Sequence, residues 1–322
     1  MNGPALFAPV TVAIVSWNTR ERLAACLRAL TAEHERGIVA VWVVDNGSSD
    51  GSCELVRDEF PWVTLVESET NIGFGAAVNL VATRTTSPWL LPANADVEIT
   101  PGALDALLEA GARDARAGAL APRLILDDGG TQHSVYPFPT LPCALLVNLG
   151  LARPMPWLGE RFCLEGFWNP ERPRAVDWAI AAFVLVRREA WESVGGFDER
   201  HWIYAEDLDL GWRLARNGWT TRYEPAAVVH HAGGAATSQA FGDERRARFM
   251  AETYAWMARE RGMPRTLLTA AVNSLGAAVR VALFAPLAVP LKRFRAPRDA
   301  ARGWLRAHRQ GLHPGRVIPR PG

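Results

Sequence analysis

Three carboxylates, Glu206, Asp207 and Asp209, fall within four residues between the Gly195-Gly196 break and Gly218. Residues 205 to 217 read as a short helix, with Leu208, Trp212 and Leu214 at core spacing and Gly218 as its stop. On such a helix Glu206 and Asp209 share a face and Asp207 points elsewhere. A carboxylate crowded by like charges gains basicity, which suits a general base. The structural reading of the same residues is an acidic first turn favoured by the helix dipole, with Arg213 as the partner of Asp209. Two neighbours favour chemistry. The aromatic lead-in His201, Trp202, Tyr204 is costly to expose and predicts a walled cleft. His230-His231, after a strand-like run at 226–229, offers a possible metal ligand.

Further polar groups stand where an α/β chain presents its ligands. Residues 10–16 and 38–44 are apolar, β-branched runs flanking a helical pattern over 20–30, which predicts two parallel strands. Ligands of such sheets meet the carboxyl ends of the strands. Those ends carry Ser16-Trp17-Asn18 and the turn from Asp45 to Ser52, DNGSSDGS. Ser and Asp residues of the turn cap the helix that follows, whereas Asp45, ending a buried strand, is available to a base or ribose. After a third strand at 63–67, Gly73 and Gly75 open a helix and let its free N–H groups approach an anion. These glycines follow the third strand and match the dinucleotide fingerprint only in part, which disfavours a dinucleotide-dependent dehydrogenase. A fourth strand at 89–91 leads to Asn94-Ala95-Asp96, where Asp96 can hold a divalent cation against two phosphates.

The remaining elements must position these groups. Strands are expected at 118–126 and 177–186, and helices at 101–110, 188–194 and 243–261. Residues 137–173, rich in Pro, Trp and Phe without periodicity, read as a long loop over the site. Thr237, Ser238 and Gln239 read as a flexible segment. Residues 266–291 hold one charge, Arg280, with Pro286 and Pro290, and from Lys292 onward there are nine Lys or Arg against one acid, Asp299. Charge and proline make 266–291 marginal as a membrane span; a helix lying in the interface, backed by a cationic tail, fits better, the alternative being a hairpin packed on the domain. The chain of 322 residues is 49% hydrophobic and 21% charged with net charge +1, enough for one large α/β domain and an appendage. Its four cysteines show no C-x-x-C spacing and fit a reducing compartment. No signal peptide is read at the N-terminus. The basic tail lacks a nucleic-acid module, so no nucleic-acid partner is expected.

As a set, VSWN (15–18), DNGSSDGS (45–52), NIGFGAAVN (71–79), NAD (94–96), VDW (176–178), LVRREAWESVGGFDER (185–200), YAEDLDLGWRL (204–214) and VVHHAGG (228–234) resemble family 2 glycosyltransferases of the GT-A fold, bacterial rhamnosyltransferases above all. The resemblance implies a GT-A domain over 1–240, a mostly parallel sheet flanked by helices, and a helical, membrane-associating basic segment over 241–322. It implies an inverting transfer of a sugar, best L-rhamnose from dTDP-rhamnose, to a polyprenyl-linked or other cell-envelope glycan. Ser16, Trp17 and Asp45 would line base and ribose, and Asn71, Gly73 and Asn79 the diphosphate region. Asp96 would bind Mg²⁺ or Mn²⁺ with His230, and Asn94 stands where the first acid of the metal motif is expected, which predicts weaker metal affinity. Asp207 would be the general base, flanked by Glu206 and Asp209. The enzyme would sit on the cytoplasmic face of the membrane. Transfer of galactofuranose, glucose or N-acetylglucosamine, or binding of nucleotide sugars or glycans without turnover, are the alternatives.

Overall fold

The computed structural model describes residues 8–233 and 244–313. Gly234, the segment Thr237-Ser238-Gln239, Asp243, Arg316 and Arg320 lie outside the described residues. The chain divides into two compact units, one joining Met1–Tyr136 to Asn169–Gln239, the other joining Pro137–Trp168 to Ala240–Pro321.

The first unit begins with β1 (Val10–Ser16), α1 (Arg20–Glu35), β2 (Val39–Asp45), α2 (Ser52–Glu59), β3 (Thr64–Glu67), α3 (Phe74–Ala82), β4 (Trp89–Asn94), β5 (Val97–Ile99), α4 (Ala103–Arg113), β6 (Ala117–Ile125) and β7 (Val135–Tyr136). The second unit contributes α5 (Leu141–Asn148) and α6 (Pro156–Arg161). The first then resumes with β8 (Arg174–Val176), β9 (Trp178–Ala179), β10 (Leu185–Arg187), α7 (Arg188–Val194), α8 (Glu206–Arg216) and β11 (Thr220–His231). The second ends with α9 (Arg245–Arg261), α10 (Met263–Leu287) and α11 (Arg295–Gly311).

The main sheet runs β3-β2-β1-β4-β10-β6-β11-β5, with β8 also on β11. β3, β2, β1 and β4 are parallel neighbours, and β6 pairs parallel with β11, while β10, β5 and β8 run antiparallel to the strands they join. The architecture is therefore the mostly parallel, helix-flanked sheet expected. Val10, Val12 and Ile14 of β1 and Val39 and Val43 of β2 are fully enclosed, as central parallel strands require, and Leu23, Leu27 and Leu30 line the inner face of α1.

Four differences from the sequence reading trace to proline, to tertiary pairing or to missing periodicity. β4 continues past Leu91 to Asn94 although Pro92 lacks an N–H. Its carbonyl accepts from Val184 N at 3.3 Å, on the side where regular pairing with β10 has already ended, so no ladder donor is lost. β11 is a strand of 12 residues, not four, and absorbs Pro225 in a register shift between Glu224 and Val228. The expected strand over 177–186 is reduced to β9 and β10, separated by a turn at 181–182 and an isolated bridge of Phe183 to Ala93. Residues 137–168 hold α5 and α6 and cluster with the C-terminal helices.

Arg187 and Arg188 fasten β10 and α7 to their surroundings. The Arg187 guanidinium lies 4.5 Å over the Trp89 ring and donates to the Gly111 carbonyl at 2.7 Å. Arg188 donates to the carbonyls of Ala82 and Ser87 and to Thr85 Oγ1 at 3.0–3.1 Å. Replacing Arg188 with Met leaves three part-buried acceptors without a donor, so Arg188→Met should lower unfolding free energy by about 2–4 kcal/mol, read in urea as an earlier midpoint at unchanged slope.

Candidate active site

Parallel register gathers the polar strand ends into one row. Ser16 is paired with Asp45 across β1 and β2, and Val15 with Asn94 across β1 and β4. β6 and β11 share the direction of β4, so their carboxyl ends, Ile125 and His231, open on the same edge.

At one end of the row, Ser16 Oγ lies 3.0 Å from Thr19 Oγ1, and Trp17 is half-buried beside it. Asn18, at φ 52°, stitches the first strand end to the second, accepting from Ser49 N at 2.8 Å and donating its own N–H to Ser48 Oγ at 2.9 Å. Asp45 Oδ2 accepts from Ser48 N at 2.8 Å, while Oδ1 is buried with no hydrogen-bond partner. The Cys53 thiol nearby is pushed up to about 12 by burial and by Asp45 and Glu67, and so stays protonated. Gly51, not a side chain of the turn, holds the N-cap position of α2, and Asp50 before it accepts from Ser52 N and Oγ; burial works against its charge, but the Ser52 hydroxyl and the N–H groups of Arg20 and Ser52 hold its pKa below the usual value.

The mouth of α3 is built around Gly73. Its φ of 90° is one that L side chains avoid, and a Cβ there would lie 2.5 Å from the Trp202 carbonyl. Asn71 Oδ1 accepts from Gly73 N at 3.0 Å, and its carbonyl accepts from Trp202 Nε1 at 3.1 Å. Trp202 and His201 are buried, so the aromatic lead-in does form a wall. Asn79 does not reach this mouth. Its amide exchanges bonds with the Phe197 backbone, at 2.9 and 3.0 Å, and donates to Glu199 Oε1 at 2.9 Å, tying α3 to the turn before α8.

Beyond Asn94, the imidazole that meets Asp96 is His231 and not His230. Adjacent strand residues face opposite sides, and pairing of β11 with β5 turns His231 inward and leaves His230 exposed. His231 Nε2 lies 3.3 Å from Asp96 Oδ1 and 3.4 Å from the Asn94 amide nitrogen, and Nδ1 lies 2.7 Å from Gln132 Oε1. With an amide oxygen at Nδ1, that nitrogen carries the hydrogen and Nε2 is the atom turned toward Asp96. Both side chains are buried.

α8 starts from two successive left-handed residues, Tyr204 (φ 63°) and Ala205 (φ 65°), strained conformations for non-glycine residues. They turn the chain sharply so that Glu206, Asp207 and Asp209 occupy the first turn, where the dipole favours anions. Gly211 lets α8 press on β9, since a Cβ would lie 2.6 Å from Trp178 Cβ. Asp209 Oδ2 accepts from Arg213 Nε at 2.6 Å, and Arg213 also donates to the Val194 carbonyl at 2.6 Å, clamping α8 to the end of α7. Asp207 alone turns toward the Ala181-Ala182 turn. It accepts from Leu208 N at 2.8 Å and Ala181 N at 3.4 Å and borders a small cavity lined also by Pro92, Val184 and Leu210. Burial raises its pKa to about 6, against the opposing backbone hydrogen bonds. The raised basicity expected from Glu206 and Asp209 is thus present, but its cause is desolvation.

Among the described residues, Asp198, His201 and Asp209 also place ligand atoms within 4.8 Å of one another. Both acids have cationic partners, Asp209 in Arg213 and Asp198 in Arg200, whose hydrogen bonds bring Asp198 down to about 2. Of the residues gathered here, Gln132 was missed by the sequence reading, and His231 was named only as one of a pair whose partner was preferred. The histidine pair was visible in the sequence but not which of the two faces inward, and Gln132, on the segment that returns alongside β6, carried no signal.

The fold is that of the nucleotide-sugar transferases. Its solved neighbours include a mannosyltransferase from Pyrobaculum calidifontis, in complex with GDP-Man and Mn²⁺, at TM-score 0.61 and 19% identity over 97% of this chain and 89% of that one. GalNAc-T7, with UDP, GalNAc and Mn²⁺, gives TM-score 0.53 and 13% identity over 78% of this chain and 51% of that one. The family description "Glycosyl transferase family 2" matches residues 11–143, and "Glycosyl transferase family group 2" matches 174–291. An N-acetylglucosaminyl-diphospho-decaprenol L-rhamnosyltransferase of Mycobacterium tuberculosis is 38% identical over 250 residues, 68% of this chain and 75% of the relative. The rhamnosyltransferase WbbL of Escherichia coli is 41% identical over 58 residues, 18% of this chain and 22% of its own. The chain belongs to glycosyltransferase family 2, and it is an enzyme of that class.

The raised pKa of Asp207 has a consequence for stability. Stability tied to its protonated form is fully present below the ordinary value of 3.8 and is lost as pH rises through about 6. Asp207→Asn should therefore unfold like the parent at pH 3.5 and be more stable by about 1–3 kcal/mol at pH 7.5; equal stability at both pH values would mean that the carboxylate is solvated.

Proposed function

We propose that this enzyme transfers L-rhamnose from dTDP-rhamnose, with inversion, to a hydroxyl of a polyprenyl-diphosphate-linked glycan at the cytoplasmic face of the membrane. The observation that carries the proposal is the 38% identity to a rhamnosyltransferase whose name specifies a lipid-linked N-acetylglucosaminyl acceptor. The apolar helix α10, long enough and apolar enough to meet a membrane, supports a lipid-linked acceptor. The catalytic domain is taken as 1–240, with 241–322 as the membrane-associating segment.

Ser16, Trp17 and Asp45 receive the nucleoside, with the unpaired Oδ1 of Asp45 accepting from it. Asn71 and Gly73 hold the approach to the diphosphate, and Asn79 acts one step back by fixing the 197–199 turn. Asp96 and His231, assisted by Asn94, fit a divalent cation: an oxygen and an imidazole nitrogen face each other at 3.3 Å, and Gln132 fixes the imidazole. When bound, Mg²⁺ or Mn²⁺ supplies charge neutralisation to the leaving diphosphate. Asp207 takes the acceptor hydroxyl proton as that oxygen bonds to the anomeric carbon and the carbon–diphosphate oxygen bond breaks. A pKa of about 6 leaves it ionised at neutral pH and still basic enough for the task. Arg213 and Asp209 keep its helix in place.

Thermal shift against UDP, dTDP and GDP sugars with Mn²⁺ tests the donor. The largest stabilisation should come from dTDP-rhamnose; preference for another nucleotide sugar would move the assignment to that sugar. Asp207→Asn should retain this shift while turnover falls roughly 10²–10⁴-fold, and near-parental turnover would move the base elsewhere. For the cation, His231→Ala should weaken Mn²⁺ binding by calorimetry about 10–100-fold, whereas His230→Ala should leave it unchanged.

A further inference from the structure

Within the helical unit, α10 turns its large apolar side chains outward. The buried residues of α10 are small or polar: Thr266, Thr269, Ala270, Gly276 and Ala277. On its other side Leu268, Leu275, Val279 and Leu283, at helical spacing, are 48–66% exposed. A helix of a water-soluble bundle shows the reverse. Packing through small residues with leucine outward is the pattern of helices that meet lipid.

α5 extends this surface from a distant part of the sequence. Asn148 sits on Gly276, where a Cβ would lie 2.0 Å from its Oδ1, and donates to Asn273 Oδ1 at 2.8 Å. Arg280, a charge in the middle of the apolar stretch, donates to Asn148 Oδ1 at 3.0 Å and to the Val147 carbonyl at 3.4 Å. Its cation thus meets the C-terminal end of α5, where the helix dipole is negative. With Arg280 held there, α5 brings Leu145, Val147 and Leu149, 37–65% exposed, to the same unit.

We infer that α5 and α10 together form a membrane-docking face, α10 lying in the plane of an anionic bilayer surface and not across it. The inference rests on the membrane-facing reading proposed above and adds α5 and a structural ground for the in-plane orientation. Orientation follows from the neighbours of α10. α9 and α11 pack against it and expose Arg246, Asp299, Arg302 and Arg306, charges that a spanning arrangement would carry into hydrocarbon. Lys292 and Arg293, exposed just after α10, give the face a cationic border suited to anionic headgroups.

Co-sedimentation of the full chain with vesicles of phosphatidylcholine containing 30% phosphatidylglycerol tests this. Leu145→Ser/Leu149→Ser and Leu275→Ser/Leu283→Ser should each keep the parental thermal midpoint and partition at least about tenfold less. Independently of any variant, vesicles should slow backbone hydrogen exchange over 141–149 of the parent chain. If the α10 pair loses partitioning while the α5 pair and exchange over 141–149 stay parental, α5 is not part of the face, although the membrane reading stands. If the parent chain binds no vesicles, the membrane reading and the inference fall together. Retention of vesicle-bound protein through alkaline carbonate would overturn the in-plane placement. Loss of a dimer by the α5 pair at unchanged vesicle binding would assign the face to a second copy of the chain.

Discussion

The parallel pairing of β1 with β2 and β4 is the constraint from which the site follows. Register fixes which residue ends each strand, and here it sets Ser16 opposite Asp45 and Asn94 one step away. A one-residue slip would turn these side chains to other faces and break the row. The closed packing of Val12, Ile14 and Val43 holds the register, so the apolar core and the polar edge are two results of one pairing.

Around that row the protein places charge where water is scarce. Asp207, Asp209 and Glu206 share one helical turn but not one environment. Asp209 is neutralised by Arg213, while Asp207 faces the Ala181 turn and a small cavity and keeps its proton to a higher pH. Identical side chains two residues apart thereby meet different environments, one paired with a guanidinium and one desolvated against backbone N–H groups. The strained Tyr204 and Ala205 make this possible by entering the helix at an angle that an ordinary cap would not give.

Much of this was legible in the residues. β-branched runs gave β1 and β2 to within a residue, and the acidic helix with its Arg213 partner was read at nearly its observed bounds. Legibility failed where tertiary pairing decides. Pro92 and Pro225 look like strand breakers locally, yet a gap in the ladder and a bulge accommodate them. The choice between His230 and His231 depends on strand phase, which two adjacent histidines do not reveal. The role of Gln132 depends on a contact 99 residues away in sequence. The helices in 137–168 were hidden by proline, and their partners lie at the other end of the chain.

That last arrangement bears on how the molecule is made. α5 leaves the ribosome more than a hundred residues ahead of α10, against which it packs. At about 5–20 residues per second, the gap is on the order of ten seconds. During that interval Leu145, Val147 and Leu149 are present and the helix bearing Arg280 does not yet exist. The sheet, whose strands are complete by His231, is able to close first, with the insert held out as a loop that still lacks its partner. Assembly of the helical unit is then a late event, coupled to the end of translation.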